Sequence, residues 1–504
     1  MIPYIPDRME EGYGLNREAV AALRGQGVGL IVTVDCGITA VEEAACAASL
    51  GVELVITDHH ECKAALPAAA AVVDPRRADC PYPFKCLAGV GVALKLVLAL
   101  GGPARRDELL ERYADLAAIG TVADVMSLTG ENRTIVRLGL EALRRTGRPG
   151  LRALLHEAGL DERPLTATAI GYTLAPRINA SGRMGCASLA GELLLTDDPA
   201  RGEELSRALC DLNRERQAIE AEIYTECQAM AEALPRPQRH ALVLAGEQWH
   251  QGVVGIVASR LSEKYACPSF MIHLSGTVGK GSCRSSGRLQ PFRRSGALLR
   301  PPAGFRRSRA GGGLHHRCRQ YPRLPPADEP AGAGISGRRS AGGMSGDRCR
   351  PHLSSRVTLT EVEALGMLEP YGAGNNRPLF CLMGATLERL QSVGQNRHLK
   401  LRLSKGSSQF DGIFFSVSPD TCPVAAGSRV DAAFYLQINE FRGNRTVQLQ
   451  MVDIRPSLTV STREDECLHL FGALSAGRSA PAQGGGPPAA IPQPVRAAVA
   501  GAGA

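Results

Sequence analysis

The pattern of apolar and polar positions over the first sixty residues predicts a βαβ unit. Two short apolar runs rich in β-branched residues, 29–34 and 53–57, are separated by about twenty residues that suit a helix. A right-handed crossover makes two such strands parallel. We therefore expect Asp35 and the triplet Asp58-His59-His60 to emerge together at the carboxyl edge of one sheet, where open α/β folds bind ligands.

Carboxylate and imidazole groups at one sheet edge suit a divalent metal ion. The triplet alone is a weak signal, because most isolated histidines lie on the surface or are satisfied in the core. Its position directly behind a strand, next to a second strand that ends in an acid, makes the signal specific. Asp124 lies among apolar residues further on, and its local sequence fits a helix N-cap as well as it fits a metal ligand.

Further helices follow from apolar residues at helical spacing. We expect a helix starting near Arg17, a helix over 87–100 that is apolar nearly all round and therefore buried, and a long charged helix from Ala190 to Ala233. Between them, Arg177, Asn179 and Arg183 fall in a stretch punctuated by Gly, Ser and Pro. This stretch is predicted to be a loop, either merely solvated or binding phosphate through its guanidinium groups.

Strand patterns resume near residue 239 and predict a second α/β domain. His250 stands in a Gly-punctuated loop that leads into a helix, and 281–285 forms a run of small residues containing Ser282 and Arg284. We interpret this run as a turn whose backbone N–H groups can approach an anion, which by itself is a weak signal.

The character of the sequence changes between Ser286 and Ser355. This stretch contains fourteen arginines, no lysine and three acids, a net charge of +11, so that the rest of the chain carries −3 of the total +8. Its Pro, Gly, Arg and Ser residues carry no helical or strand period and predict disorder. The basic character of the whole chain is therefore no argument for a nucleic-acid partner.

Alternating segments from Leu379 to Pro456 predict a compact barrel of about five strands. Cations and an aromatic residue that could share one face of it, the pattern of single-strand binding, are His398, Lys400, Arg402, Phe441, Arg442 and Arg445. Ordinary solvated charges on a barrel explain the same residues equally well. The Ala/Gly/Pro-rich end after Phe471 is predicted to be a disordered tail.

Composition excludes several classes of protein. The chain has no run of eighteen apolar residues and no secretory segment, and its fifteen cysteines contain no CxxC pair. We therefore expect reduced thiols, no zinc site, no membrane association and a cytoplasmic location.

Several motifs in order resemble the RecJ-type exonucleases of the DHH phosphoesterase family. They are VDCGIT, TDHH, LAGVGVA, GTVAD, APRINASGRMG, WHQGVVGIVASRL and KGSCRS, followed by the barrel. The resemblance covers about 1–285 and 356–458. It implies a parallel-sheet DHH domain (1–150) lacking its first strand, a phosphate-contacting loop and connecting helix (151–237), a second α/β domain of the DHHA1 type (238–355) disrupted after about 286, an OB-like domain (356–458) and a tail (459–504).

The resemblance implies hydrolysis of single-stranded DNA from the 5′ end, in DNA repair and recombination, with two Mn²⁺ or Mg²⁺ ions. By position, Asp35, His59 and Asp124 match metal ligands, His60 matches the residue near metal and phosphate, and Asp58 would orient the imidazoles. The residues expected to contact phosphate or DNA are Arg177, Asn179, Arg183, His250, Ser282, Arg284, Lys400, Phe441 and Arg445. A single-strand-binding protein and a helicase are implied partners of a monomer.

Two departures from the family predict little or no activity in this chain. Family members carry an earlier strand ending in Asp-x-Asp, which adds metal ligands, and a Gly-Gly-His motif after KGSCRS; neither is found in its place here. Codons exist for 305–318 that spell Phe-Gly-Gly-His when read one base later. We hypothesise that about 286–355 is translated out of frame.

Two other functions compete with the exonuclease. A phosphodiesterase of short oligonucleotides or cyclic dinucleotides would have no need of a strand-binding barrel. A noncatalytic single-strand-binding protein would keep its affinity for DNA in EDTA.

Overall fold

The computed structural model describes residues 1–7, 11–12, 14–162, 164–235, 240–276, 278–285, 306–308, 311–317, 357–441 and 443–457. These fall into two compact units, the first within Met1–Gly343 and Leu368–Arg377 and the second within Met344–Met367 and Pro378–Ala504. None of the described helices combines the length and the apolar character needed to span a bilayer. The expected tail lies outside the described residues.

The first unit begins with the predicted βαβ unit. Its elements are α1 (Arg17–Gly25), β1 (Leu30–Val34), α2 (Val41–Ser49), β2 (Glu53–Thr57) and β3 (Ala71–Val73). The three strands are parallel in the order β1-β2-β3, which confirms the expected crossover. Helices α1 and α2 cover one face of the sheet, where Ile31, Leu54 and Ile56 are buried. On the other face, Leu30, Val32 and Val34 are 48–51% exposed.

A group of helices follows the first sheet. They are α3 (Gly89–Gly101), α4 (Arg106–Ala123), α5 (Gly130–Arg144), α6 (Pro149–Glu157), α7 (Ala167–Ala169), α8 (Ala175–Arg183), α9 (Ala187–Leu195) and α10 (Pro199–Ala233). Helix α3 is not buried all round as predicted, since Leu100 is 80% exposed. It packs on α4, and its first turns are buried or half-buried on all sides, including Val92 and Leu94, so that only its C-terminal end, with Ala99 and Leu100, is exposed.

Two predictions about these helices are wrong. The stretch with Arg177, Asn179 and Arg183 is helix α8 rather than a loop, because Pro176 occupies the first turn, where its missing N–H costs nothing. A π-turn, Ile170–Leu174, joins α7 to α8. The helix expected over Ala190–Ala233 is interrupted after α9, and α10 starts with Asp198 as its N-cap.

The second sheet and its helix consist of β4 (Leu242–Gly246), α11 (Val254–Tyr265), β5 (Ser269–Ser275), β6 (Val278–Arg284), β7 (Arg306–Ser308) and β8 (Gly311–Arg317). The strand order is β4-β5-β6-β8-β7, with β4 and β5 parallel and the other pairs antiparallel. Trp249 is buried in the core that α10 and α11 form with this sheet, which confirms the second α/β domain.

Two further expectations fail in this sheet. The small-residue run 281–285 is largely strand β6 rather than a turn, because β5 and β8 pair with it on both sides. Its backbone N–H groups therefore serve the sheet. Within the stretch predicted to be disordered, β7 and β8 extend the sheet from the edge of β6, where Gly-rich backbone supplies the hydrogen bonds.

The second unit is the predicted five-stranded barrel. It contains α12 (Leu359–Ala364), β9 (Phe380–Val393), β10 (His398–Lys405), β11 (Ser408–Phe415), β12 (Arg429–Phe441) and β13 (Asn444–Pro456). The barrel closes in the order β10-β11-β13-β12-β9, and of its described strand pairs only β11–β13 is parallel. Phe434, 1% exposed, lies in its core against Phe380.

Candidate metal centre

His59 lies at the centre of the predicted cluster, just beyond the end of β2. Its side chain is 6% exposed, and its Nδ1 lies 3.0 Å from the carbonyl oxygen of Leu87. Because a carbonyl can only accept a hydrogen bond, Nδ1 carries the hydrogen and Nε2 carries a lone pair in the neutral ring. Nε2 is buried and has no hydrogen-bond partner among the described residues.

Two carboxylates converge on this nitrogen. Asp35 Oδ1 lies 3.0 Å and Asp124 Oδ2 3.5 Å from His59 Nε2, and neither oxygen forms a hydrogen bond with it. Three electron-rich atoms thus face one another, an arrangement that a cation stabilises. The donor set and the orphaned nitrogen fit the metal ion predicted from the sequence.

Asp58 orients the two histidines of the triplet. Its Oδ2 accepts a hydrogen bond from the Ile38 N–H (2.9 Å), and Oδ1 accepts from the His59 N–H (2.7 Å) and lies 2.6 Å from His60 Nδ1. Burial alone would raise the pKa of Asp58, but the hydrogen bonds from His60 and Ile38 outweigh it, so the pKa is lowered. The bond to Asp58 in turn raises the pKa of His60, although burial opposes it.

The backbone at Asp35 is shaped for this site. Asp35 has a φ of 63°, in the left-handed region that only Gly, Asn and Asp adopt readily. The first residue of α3 packs directly against its carboxylate: a Cβ added to Gly89 would lie 2.2 Å from Asp35 Oδ1. Glycine at position 89 therefore leaves the space that the Asp35 side chain occupies.

Asp124 is the C-cap residue of α4, so its interpretation as a helix N-cap is wrong. Its carboxylate points towards His59 instead. Packing around the carboxylate raises the pKa of Asp124, and the negative charge of Asp35 adds to this rise while His59 opposes it. A bound cation would reverse that balance.

Asp74 is a residue that the sequence interpretation missed. It follows β3 as Asp35 follows β1 and Asp58 follows β2, and it is 2% exposed. One of its oxygens accepts a hydrogen bond from the Arg76 N–H (2.7 Å), while Oδ2 has no partner among the described residues. Burial raises the pKa of Asp74. The repeated pattern of a strand followed by Asp was the available signal.

Four of the groups expected to bind phosphate lie on two neighbouring elements of the first unit. In α8, Arg177 donates to Thr173 O (2.6 Å), Arg183 donates to Gly252 O (3.2 Å), and Asn179 is exposed. In the loop after β4, His250 Nδ1 accepts from the Gly252 N–H (3.2 Å). Burial lowers the pKa of His250. Gly252 thus connects the two elements.

Ser282 and Arg284 lie on β6, opposite the first turn of α11. A Cβ on Gly255 would lie 3.2 Å from Ser282 Oγ and 3.6 Å from a guanidinium nitrogen of Arg284. Their side chains, rather than backbone N–H groups, are what this strand offers to a ligand. Arg284 also donates to the Cys283 carbonyl (2.9 Å).

The expected barrel residues separate into two groups. His398, Lys400 and Arg402 alternate with buried leucines on β10 and point outward together. Arg445, near the β12–β13 turn, pairs with Glu363 (2.8 Å) and lies 4.0 Å from Glu440. The side chains of Phe441 and Arg442 lie outside the described residues.

Comparisons with known proteins agree with this architecture. Residues 1–121 match the DHH family, N-terminal domain, and 353–453 match the RecJ OB domain. The chain is 36% identical to the single-stranded-DNA-specific exonuclease RecJ of Dickeya dadantii over 90% of this chain and 82% of that protein. It is 37% identical to the Bacillus subtilis RecJ over 89% of this chain, but spans only 57% of that protein's length.

Solved structures show the same similarity. The crystal structure of RecJ in complex with Mn²⁺ from Thermus thermophilus superposes with a TM-score of 0.68 at 30% identity, covering 88% of this chain and 64% of that one. A structure of exonuclease RecJ bound to manganese matches 62% of this chain and 77% of its own at 36% identity and a TM-score of 0.52. The ordered motifs, the domain matches and these relatives agree that the chain belongs to the RecJ family of the DHH phosphoesterases.

Proposed function

We propose that this chain is a metal-dependent exonuclease that hydrolyses the phosphodiester bonds of single-stranded DNA from the 5′ end. The observation that carries the proposal is the buried, unpartnered Nε2 of His59 facing the carboxylates of Asp35 and Asp124. Relatives named as single-stranded-DNA-specific exonucleases, and their Mn²⁺ and Mg²⁺ complexes, support the substrate and the metal.

Asp35, His59 and Asp124 would hold the metal. A divalent ion held there would supply a Lewis acid for the phosphodiester and would lower the pKa of the attacking water. The Leu87 carbonyl keeps the lone pair of His59 directed at the site, and Asp58 fixes the ring of His60. The same hydrogen bond to Asp58 holds the His60 ring beside the metal ligands, where it would contact the scissile phosphate.

Phosphate groups further along the strand would be bound by cationic and polar side chains of the first unit. We assign this role to Arg177, Asn179, Arg183, His250, Ser282 and Arg284. The guanidinium groups among them give bidentate contacts to phosphate. The closed barrel favours a polymer over a dinucleotide, since a barrel of this kind accommodates several nucleotides.

We also propose that turnover in this chain is slow. Asp35, His59 and Asp124 are the three ligands that we assign to the metal, fewer than two ions would need, and in the described part of the chain one face of the sheet that positions them is exposed. Slow turnover can be distinguished from a lack of activity, because a slow rate of hydrolysis would still depend on Asp35 and on Mn²⁺.

Digestion of labelled oligonucleotides tests the proposal. With Mn²⁺, the purified chain should slowly release mononucleotides from the 5′ end of single-stranded DNA, and Asp35→Ala should lower this rate at least 100-fold. Asp107→Asn, which changes an exposed acid on α4, is the control and should not change the rate. Strands labelled at either end report polarity, and cyclic dinucleotides test the competing phosphodiesterase.

A rate that equals that of Asp35→Ala would refute the exonuclease in this chain. If DNA binding then persisted in EDTA, the noncatalytic binding protein would be favoured. Rapid digestion would confirm the reaction and refute the slow turnover.

We further propose a monomeric cytoplasmic enzyme that acts together with a single-strand-binding protein and a helicase. These points rest on the family resemblance. Light scattering of the purified chain tests the monomer. Co-purification tests the partners.

A further inference from the structure

The outward face of β9, β10 and β11 carries three cross-strand rows of side chains. Residues directly opposite each other in antiparallel strands share a face. The central residues of the three rows are His398, Lys400 and Arg402 of β10. Their partners on β9 and β11 are, respectively, Val393 and Phe415, Gln391 and Ile413, and Arg389 and Asp411.

The first row contains an exposed aromatic side chain on a rigid support. Phe415 is 47% exposed, and its ring meets the His398 ring edge to face, with centroids 5.4 Å apart at 77°. The His398 ring is fixed in turn, because its Nδ1 accepts a hydrogen bond from the Ser416 N–H (3.0 Å). A single exposed aromatic is common, but one held in place by a second ring loses little freedom when a ligand stacks on it.

The neighbouring rows are cationic. Arg389 and Arg402 lie directly opposite each other, a like-charge pair that is unfavourable without anions. Asp411 neutralises Arg402 through two contacts, at 2.9 and 3.3 Å. The three rows therefore contain three cations and one carboxylate. Glu388, exposed beside Arg389 at the bulge of β9, adds a second carboxylate to this surface and leaves one net positive charge. An aromatic ring beside unbalanced cations is complementary to a nucleic-acid strand, through base and phosphate respectively.

We propose that Phe415, supported by His398, is a base-stacking subsite for single-stranded DNA, and that Lys400 and Arg389 bind the adjacent phosphates. The second and third strands of such barrels, here β10 and β11, are a common nucleic-acid surface. The inference rests on the proposed function only for the identity of the ligand. Because stacking needs no metal, binding can be measured in EDTA, separately from hydrolysis.

The first experiment measures the affinity of the full chain for a fluorescent thymidine oligonucleotide in EDTA by anisotropy. Phe415→Ala should weaken binding about tenfold, or about 1.4 kcal/mol. Met383→Ala is the matched control: Met383 is 43% exposed on the same barrel but lies outside the three rows, and its loss should leave the affinity within twofold.

An abasic oligonucleotide of the same length separates stacking from other effects. It keeps the phosphates but has no bases, so the wild type and Phe415→Ala should bind it equally well. Phe415→Trp should restore binding to the thymidine strand, and its fluorescence should be quenched on binding. Trp249, buried in the first unit, contributes a constant background.

Salt dependence tests the cations. Lys400→Ala should reduce the slope of log affinity against log salt concentration by about 0.7, as expected for one phosphate contact to a single strand. Affinity of Phe415→Ala within twofold of wild type, or an equal loss on the abasic strand, would overturn the stacking subsite. An unchanged salt slope in Lys400→Ala would overturn its phosphate contact. Circular dichroism confirms that each variant is folded.

Discussion

Strands β1 and β10 alternate in burial in the same way but differ in what they turn outward. On β1, Ile31 and Thr33 are buried, while Leu30, Val32 and Val34 are exposed. On β10, the buried leucines alternate with outward-pointing His398, Lys400 and Arg402.

The difference shows what each sequence is suited to. A strand with polar residues at every second position is built to have one face in water. A strand that is apolar on both sides belongs in a parallel sheet with both faces covered, and in the described part of the chain one face of β1–β3 is exposed. Among the described residues the barrel is therefore closed around its own core, whereas only one face of the sheet that positions the metal ligands is covered.

The largest expected effect is a difference in the free energy of unfolding between substitutions on the two faces of β1. Ile31→Ala should lower the free energy of unfolding by about 3 kcal/mol, because it removes buried contacts with α1 and α2. Val32→Thr should change it by less than about 0.5 kcal/mol, since Val32 is already 48% exposed. Urea denaturation measures the free energy of unfolding of both variants. Leu399 is fully buried on β10, and Leu399→Ala shows what the loss of a core side chain costs in the barrel.

A cost of about 2 kcal/mol or more for Val32→Thr would break the comparison. It would mean that the exposed face of β1 is covered in solution. Light scattering at several protein concentrations would then show whether a second copy covers it.

A somewhat smaller effect concerns the metal. Mn²⁺ at about 100 times its dissociation constant should stabilise the first unit by about 2.7 kcal/mol and leave the barrel unchanged. Hydrogen exchange, measured for separate peptides by mass spectrometry, distinguishes stabilisation of the first unit from stabilisation of the barrel. Gly89→Ala should abolish the effect, because its new Cβ would displace the Asp35 carboxylate.

Gly25→Ala is the control for that experiment, since a Cβ there has nothing within 4 Å. Its peptides should gain the same protection as the wild type. Equal protection of barrel peptides by Mn²⁺ would show that the ion acts elsewhere.

The smallest effect is a pH dependence in the second α/β domain. Burial holds the pKa of His250 below its ordinary value of about 6.5. Between the folded and the unfolded pKa the unfolded chain binds more protons, so stability is full above about pH 6.5 and is lost as the pH falls below it.

His250→Asn should remove this slope, because the amide oxygen can replace Nδ1 as acceptor of the Gly252 N–H but does not titrate. Thermal unfolding across the range in which histidine titrates, about pH 5 to 8, measures it. His240→Asn, at an exposed position, serves as the control. If the stability of His250→Asn still depends on pH in this range, that dependence must come from another titratable group.

The sequence was sufficient where structure is local. Parallel β1 and β2, the meeting of Asp35 with His59, and the five barrel strands follow from residues that are close in sequence or regularly spaced. The approach of Asp124 to His59 depends on how α4 packs, which a local pattern cannot determine. The resemblance to a known family pointed to Asp124, whereas its neighbours left two interpretations open.

Tertiary contacts explain the errors. Gly, Ser and Pro around Arg177 suggested a loop, but packing of α8 on α10 outweighs their weak helix propensity. The small residues around Ser282 suggested a turn, yet strands on both sides provide hydrogen bonds for extended backbone. Gly89 was overlooked because its importance lies in a carboxylate more than fifty positions away.

The π-turn before α8 has a consequence for variation in chain length. Such a turn holds one residue more than a regular helix needs, so the helix on either side keeps its rotational phase. Deletion of Tyr172, 84% exposed within the turn, would leave a regular helix with Arg177 and Arg183 still facing as before. A deletion inside α8 would instead rotate every later side chain by about 100°. Length differences can therefore accumulate at this turn without reorienting the guanidinium groups.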